Sequence, residues 1–293
     1  MNKELEHFHR QKINIAVFSQ TGMLYAIPMQ NNDMNAELRM WLSVTRRLPA
    51  IRGAGRLSGI AECIYNRKPR EDVTVKVRDF TMRLDPAETL GRELLFCPQI
   101  CDRHELSYLR THLRPGDTFV DCGANVGFYS LAAAKLVGST GTVLAIEASP
   151  VNSARLAENV KLNDMTHVKV ANVGLSDKSE TLRLGLNTTG NSGGHSFINN
   201  SAEGISVQCK TLADVLLSEG VKGVHGMKMD IEGFEAKVLK EFFRGNANLW
   251  PKFLIIEVNP NFGTSAKEEL LSLLTGNHYR LTRISELNYV AEM

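Results

Sequence analysis

The sequence is poor in the features that would commit it to a specialised class. Cysteine is scarce and odd in number, five residues at positions 63, 97, 101, 122 and 209. Their spacing gives no framework, which argues against a disulfide scaffold and makes a reducing cytoplasm the expected home. The nearest pair, Cys97 and Cys101, lies outside the usual metal and redox spacings, so the cysteines read as structural. No apolar run reaches the roughly 18–20 residues that span a bilayer. The N-terminus lacks a basic start, apolar run and cleavage site, so no signal peptide is expected. Neither charge sign dominates: 34 Lys and Arg against 32 Asp and Glu leave a net charge of +2, too little to argue for nucleic acid as a partner from the whole chain. There is no repeat and no low-complexity run. What remains is a 293-residue chain with 43% hydrophobic and 23% charged residues. That is ordinary for a soluble globular protein of one large domain, or a core with an appendage.

The chain is organised around Thr118 to Glu147, TFVDCGANVGFYSLAAAKLVGSTGTVLAIE. A short apolar strand, Thr118–Val120, runs to Asp121. The turn Gly123-Ala-Asn-Val-Gly127 follows, then an Ala- and Leu-rich helix from Phe128 to Val137, then a strand, Thr142–Ile146, ending at Glu147. A strand–turn–helix–strand unit of about 30 residues is one nucleotide-binding βαβ half. Gly123 and Gly127 let the backbone turn tightly beside a ligand, and the helix start offers free N–H groups. Glu147, 24 positions after Gly123, is placed to accept hydrogen bonds from both hydroxyls of an adenosine ribose. The dinucleotide fingerprint G-x-G-x-x-G is not met, because Asn125 holds the middle position and the spacing is G-x-x-x-G. Asp121 stands two residues before the first glycine. A carboxylate there would repel a pyrophosphate and suits a cofactor with a cationic amino-acid end, such as S-adenosyl-L-methionine. Asp121, Gly123, Asn125, Gly127, Glu147 and Ser149 are the cofactor-site candidates of this stretch.

Residues 1–72 read as an N-terminal appendage, with short strands at Ile13–Phe18 and Leu24–Ile27 and a helix from Asn35 to Leu48. Arg46, Arg47, Arg52, Arg56, Arg67, Lys68 and Arg70 make it locally basic, as a solvated face or as a surface for an anionic partner or second subunit. The main domain is expected over 73–293. Val73–Val77 and Phe80–Leu84 alternate as a hairpin, and Thr89 to Leu113 reads as a helical approach carrying Glu105. Pro150 to Leu162 is predicted as a helix with Ser149 as N-cap, followed by a third strand, Val168–Val173. This β-α-β-α-β order is the first half of a doubly wound sheet. Thr181–Leu186 and Ile205–Gln208 then form an added hairpin around a polar, glycine-rich loop at 187–204, a length that tends to be functional. A helix at Thr211–Leu217, a strand at Met227–Met229, a helix at Phe234–Phe243, a strand at Phe253–Val258, a helix at Ser265–Leu274 and two strands, Tyr279–Arg283 and Leu287–Ala291, close the chain. Gly226-Met-Lys228 reads simply as the start of its strand.

VDCGANVGFYSLAAA, IEASP, NVKLN, KMDIEGFEAKVL and LIIEVNP occur in this order over roughly Asp85 to the C-terminus. Together they resemble the FkbM family of S-adenosylmethionine-dependent methyltransferases; the Asp230-Ile-Glu-Gly233 run is the most specific of them. The resemblance implies an α/β, Rossmann-like class I methyltransferase fold, with a seven-stranded, mostly parallel sheet, one antiparallel strand near the end and helices on both faces. It also implies O-methylation of a hydroxyl of a sugar, glycan or secondary metabolite, often in bacterial polysaccharide or antibiotic pathways.

Asp121, Glu147, Asp230 and Glu257 end four strands, where ligands of an open α/β sheet bind. Asn172, ending the third strand, is a candidate for adenine, and Glu105 for covering the cofactor; each is also readable as a turn or surface residue. Methyl transfer to a hydroxyl needs the acceptor held in line and a base for its proton. Asp230, Glu232 and His195 are the candidates. His195 is as readily a solvated loop residue, and Glu232 an acid complementing a helix dipole. Asp230, Glu232 and Glu257 are oxygen donors that suit Mg²⁺, but without diagnostic spacing, so no metal is assigned. A small-molecule or glycan acceptor is the expected partner, with no nucleic acid; peripheral membrane contact and a homo-oligomer stay open. The alternatives are an RNA methyltransferase, which would want a basic face, base-stacking aromatics and an N-P-P-[YF] run, and an NAD-dependent oxidoreductase, which Asn125 and Asp121 disfavour.

Overall fold

A strand buried on both faces reads as a near-continuous apolar run, and the segments TFVDC, TVLAIE, GMKM and FLIIE are of that kind. A computed structural model describes residues 36–47, 72–185, 194–197, 204–245, 247–259 and 263–293. The expected strands at 13–18 and 24–27, most of the basic run, and most of the 187–204 loop lie outside the described residues.

In chain order the helix α1 (Ala36–Thr45) precedes a hairpin, β1 (Val73–Val77) and β2 (Phe80–Leu84), and two helices, α2 (Thr89–Phe96) and α3 (Arg103–His112). Then come β3 (Thr118–Cys122), α4 (Phe128–Val137), β4 (Thr142–Glu147), α5 (Pro150–Leu162) and β5 (Val168–Asn172). An insertion of three strands follows, β6 (Gly174–Leu175), β7 (Glu180–Gly185) and β8 (Gly204–Lys210). The chain ends with α6 (Leu212–Ser218), β9 (Gly226–Met229), α7 (Glu235–Phe242), β10 (Phe253–Glu257), α8 (Thr264–Gly276), β11 (Arg280–Arg283) and β12 (Asn288–Glu292). The main sheet has the order β11-β12-β10-β9-β3-β4-β5. β3, β4, β5, β9 and β10 pair in parallel, and β12 runs antiparallel between β10 and β11. The chain order reverses at β3, between β4 and β9, which makes a crevice at the carboxyl ends of those strands.

The sheet splits the core in two. Phe119, Val143, Ala145, Ile255 and Val290 face α2 to α5; Val120, Leu144, Met227, Met229, Leu254 and Ile256 face α6 to α8. Side chains alternate along a strand, and the strand pairs align Asp121 with Lys228, Lys228 with Ile255, and Glu257 with Asn288. Asp121, Glu147, Lys228, Asp230, Glu257 and Asn288 therefore all fall on the first face, at the end where the crevice opens.

Local signals are met where they were strong. Ser149 caps α5, its side chain accepting from the Asn152 N–H, with Pro150 in the first turn; Thr211 caps α6 the same way. The expected helical approach from 89 to 113 is instead two helices. The stretch from Cys97 to Asp102 breaks it, because Pro98 disfavours helical backbone at the residue before it, and Asp102 takes a left-handed φ of 45°. The NVKLN run also finds its purpose. Asn159 on α5 and Asn163, the residue that ends it one turn later, lie alongside β2: their side-chain oxygens accept from the backbone N–H groups of Arg83 (2.7 Å) and Thr81 (2.8 Å). They serve that edge as a substitute strand, tying the hairpin to the core. Among the described residues no helix is long and apolar enough to cross a membrane.

Candidate active site

The switch-point crevice is a cleft of about 450 Å³. One side is built by the glycine turn. The N–H groups of Gly123 and Ala124 both donate to the Ile146 carbonyl (2.9 and 3.0 Å). Gly123 has φ +81°, and a Cβ there would stand 1.8 Å from the Asp230 carbonyl oxygen, so the turn is pressed directly onto the end of β9. Asn125 is itself left-handed, φ 49°, which turns its N–H to Glu147 Oε2 at 2.8 Å; the Ser149 N–H donates to Oε1 at 2.8 Å. Glu147 is thus fixed in orientation while keeping further lone pairs. Burial pushes its pKa up to about 7, against the pull of those two N–H groups.

The floor carries buried ionisable groups. Asp121 is 1% exposed. Its Oδ2 accepts from Ser130 Oγ at 2.6 Å, while Oδ1 has no hydrogen-bond partner. Burial raises its pKa, with Lys228 and Ser130 opposing. Lys228 is 5% exposed; its Nζ donates to Asp230 Oδ2 at 2.7 Å and sits 4.7 Å from the centroid of the Tyr129 ring. Burial opposes the lysine's charge, but Asp230, Asp121 and Asp102 together hold its pKa above the ordinary value.

Facing the floor is the turn Ile231-Glu232-Gly233. Glu232 has φ 53° and Gly233 φ 101°. Glu235, in the first turn of α7, accepts from the Ile231 N–H (2.8 Å) and the Gly233 N–H (3.0 Å), so the turn is fastened from below and the Glu232 carboxyl lines the cleft. Burial first, then Asp230 and Glu235, push the Glu232 pKa up to about 7. Burial and Asp230 also raise Glu257 well above the carboxylate range. From the insertion, His195 and Phe197 reach the cleft; burial lowers the His195 imidazole pKa.

Asp121, Gly123, Asn125, Glu147, His195, Asp230 and Glu232 come together as cleft-lining residues. Four of the expected site residues stand elsewhere. Gly127 faces α5, where a Cβ would lie 2.3 Å from Leu156 Cδ1. Ser149 contributes its cap and its N–H behind Glu147. Asn172 is exposed, and its side-chain amide donates to the carbonyls of Glu147 (2.8 Å) and Ala148 (3.2 Å), tying β4 to β5. Glu105 is buried behind the wall, accepting from Asn288 Nδ2 at 3.0 Å; Asn288 and Asp102 line the cleft in its place. The sequence reading passed over Lys228 as the start of a strand. The available signal was a lysine inside the otherwise apolar GMKM segment, since a charge in a buried strand needs a partner. Glu235 was also missed. Among the described residues no group of three or more His, Cys, Asp or Glu side chains is arranged to hold a metal ion.

The strand order, with a cleft at its switch point, is that of the Rossmann-like class I methyltransferase fold. The chain belongs to the FkbM methyltransferase family: the profile described as "Methyltransferase FkbM domain" matches residues 121–281. A similar curated protein is 31-O-demethyl-FK506 methyltransferase FkbM of Streptomyces tacrolimicus, 26% identical over 204 residues, 59% of this chain and 76% of that protein. A ribosomal protein L11 methyltransferase of Listeria monocytogenes is 30% identical over 98 residues, 33% of this chain and 29% of that protein. Among solved structures, the methyltransferase FkbM of Methylobacillus flagellatus KT aligns with a TM-score of 0.43 and 17% identity, over 82% of this chain and 60% of that one.

Proposed function

We propose that this methyltransferase acts on a hydroxyl oxygen of a sugar, glycan or secondary metabolite. The observation that carries the reading is Glu232, a carboxyl held on a left-handed turn at the cleft with its pKa raised to about 7. A base is most effective with a pKa near the working pH and contributes about 10²–10⁴-fold. An aliphatic hydroxyl needs such a base. The name of the Streptomyces relative describes methylation at an O-demethyl position, which supports the same acceptor atom here.

The residues fit the cofactor. Asp121 Oδ1 is a buried acceptor without a donor, and an ammonium supplies one. Glu147 is oriented to take both hydroxyls of a ribose. Gly123, lacking a Cβ, lets the turn close onto the Asp230 carbonyl at the edge of the cleft. Bound there, S-adenosylmethionine supplies an electrophilic methyl on a cationic sulfur. Glu232 accepts the proton of the acceptor hydroxyl. Asp230, tied to Lys228, gives the floor negative charge beside that hydroxyl, and His195 hydrogen-bonds the acceptor from the insertion. Asp230-Ile-Glu-Gly233 stands where base N-methylating enzymes carry N-P-P-[YF], which favours oxygen over an exocyclic amine.

The test is transfer of tritium from S-adenosyl-[methyl-³H]methionine to a panel beginning with deoxy-sugar glycans. The expected product is an alkali-stable methyl ether, and Glu232→Gln lowers its formation by about 10²-fold or more. Label found only in an amine, an alkali-labile ester, RNA or ribosomal protein would refute the reading.

A further inference from the structure

Among the described residues, the insertion between β5 and α6 reaches the Glu232 turn through Ser196. Ser196 is 3% exposed, and its Oγ donates to the Glu232 carbonyl at 2.7 Å. Its backbone is pinned on the other side: Gly185 N–H donates to the Ser196 carbonyl (2.9 Å) and Ser196 N–H to the Gly185 carbonyl (3.2 Å), a bridge to the end of β7. The next residue, Phe197, packs on Phe234 with ring centroids 5.3 Å apart, and Phe234 follows Glu232 by two. Ser196 and Phe197 thus grip the turn from above, opposite Glu235, which holds its N–H groups from below.

A non-glycine residue with φ of 53° sits in a sparsely populated, unfavourable conformation and persists only where its surroundings over-determine it. Glu235 restrains the N–H groups on either side of Glu232. The Glu232 carbonyl is restrained by Ser196. On the reading of Glu232 as base, we propose that Ser196 is the positioning residue for Glu232. Through it, the insertion that walls the acceptor side also sets the direction of the base. The Glu232 carboxyl feels the charges of Lys228 on β9, Asp230 just past it, Glu235 on α7 and Glu257 on β10, and His195 from the insertion and Asp102 from the α2–α3 turn line the same cleft. If the turn relaxes, the carboxyl leaves this surrounding for water.

The test needs no acceptor. The whole chain is labelled at the glutamate side-chain carboxyl carbon with ¹³C, and the Glu232 resonance is assigned by its loss in Glu232→Gln. In the wild type it titrates near pH 7. In Ser196→Ala the midpoint falls by at least one pH unit toward the ordinary glutamate value of about 4.3. Ser196→Thr, which keeps the hydroxyl, restores it. S-adenosylhomocysteine affinity stays within about twofold in both variants, because Ser196 touches the turn and not the cofactor side. A purely structural role would lower thermal stability and leave the midpoint in place. An unchanged Glu232 midpoint in Ser196→Ala overturns the proposal and leaves the base assignment standing. A wild-type Glu232 that titrates near 4.3 removes the base assignment itself.

Discussion

Replacing Gly123 by alanine separates the cofactor cradle from ordinary glycine strain, because the structure holds a control. Gly220, just past α6, has φ +74°, and a Cβ added there meets nothing within 4 Å. Gly220→Ala therefore costs only the left-handed backbone penalty, about 1–2 kcal/mol. For a domain of this size that lowers the melting temperature by about 2–8 °C. Gly123 has nearly the same φ, +81°, but its Cβ would stand 1.8 Å from the Asp230 carbonyl oxygen and 2.9 Å from the Asp230 carbonyl carbon. A backbone carbonyl has no rotamer to escape into, so the end of β9 must retreat by about an ångström or the turn must leave β4. Either movement breaks the alignment of Asp121 with Lys228 and disturbs the N–H groups that orient Glu147. Melting and calorimetric titration with S-adenosylhomocysteine, run on both variants, check this. Gly220→Ala should melt lower and bind as the wild type does. Gly123→Ala should melt lower still and lose at least tenfold in affinity, a penalty of about 1.4 kcal/mol. Equal behaviour of the two variants would sink the idea that the turn is pressed onto β9.

Two further expectations concern charge. Lys228 pulls the Glu232 and Glu257 carboxyls down, so Lys228→Met should move the Glu232 midpoint from about 7 upward, by on the order of one unit; a ¹³C titration showing no change or a fall contradicts this. Glu147 has a folded-state pKa of about 7, above its ordinary 4.5. Its contribution to stability is thus complete below about 4.5 and lost as pH rises through 7, a difference of about 3 kcal/mol. The unliganded protein should melt lower at pH 8 than at pH 5, and Glu147→Gln should flatten that slope; a wild-type profile that rises over this range refutes it.

The glycine-turn side of the cleft was readable because its signals are local. An acid, a glycine turn, an apolar helix and a second acid follow one another within 30 residues, and the caps Ser149 and Thr211 announce their helices by residue type. The same holds for the strand-end acids, since a carboxylate closing an apolar run marks where a strand leaves the core. What stayed hidden depends on distant partners. Lys228 gains its meaning from alignment with Asp121 on a neighbouring strand, and strand register is set by tertiary packing. Asn172 has its side-chain amide nitrogen on the adjacent carbonyls of Glu147 and Ala148, a tie between β4 and β5 that local sequence does not announce. Glu105 lies on the expected helix, yet the break at Pro98 brings Asp102 to the cleft and leaves Glu105 behind Asn288. The pairing of Ser196 with the Glu232 carbonyl spans 36 residues and leaves no mark in either local sequence.

The central claim is that Glu147 and the glycine turn form the S-adenosylmethionine site of this FkbM-family enzyme. Calorimetric titration with S-adenosylhomocysteine tests it most directly, on wild type and on Glu147→Ala shown by thermal unfolding to be folded. The account predicts saturable one-site binding by the wild type. It also predicts a loss of at least tenfold in Glu147→Ala, since hydrogen bonds to a charged group are worth about 1.5–3 kcal/mol each. Wild-type affinity retained by Glu147→Ala, or no binding by the wild type, would contradict it.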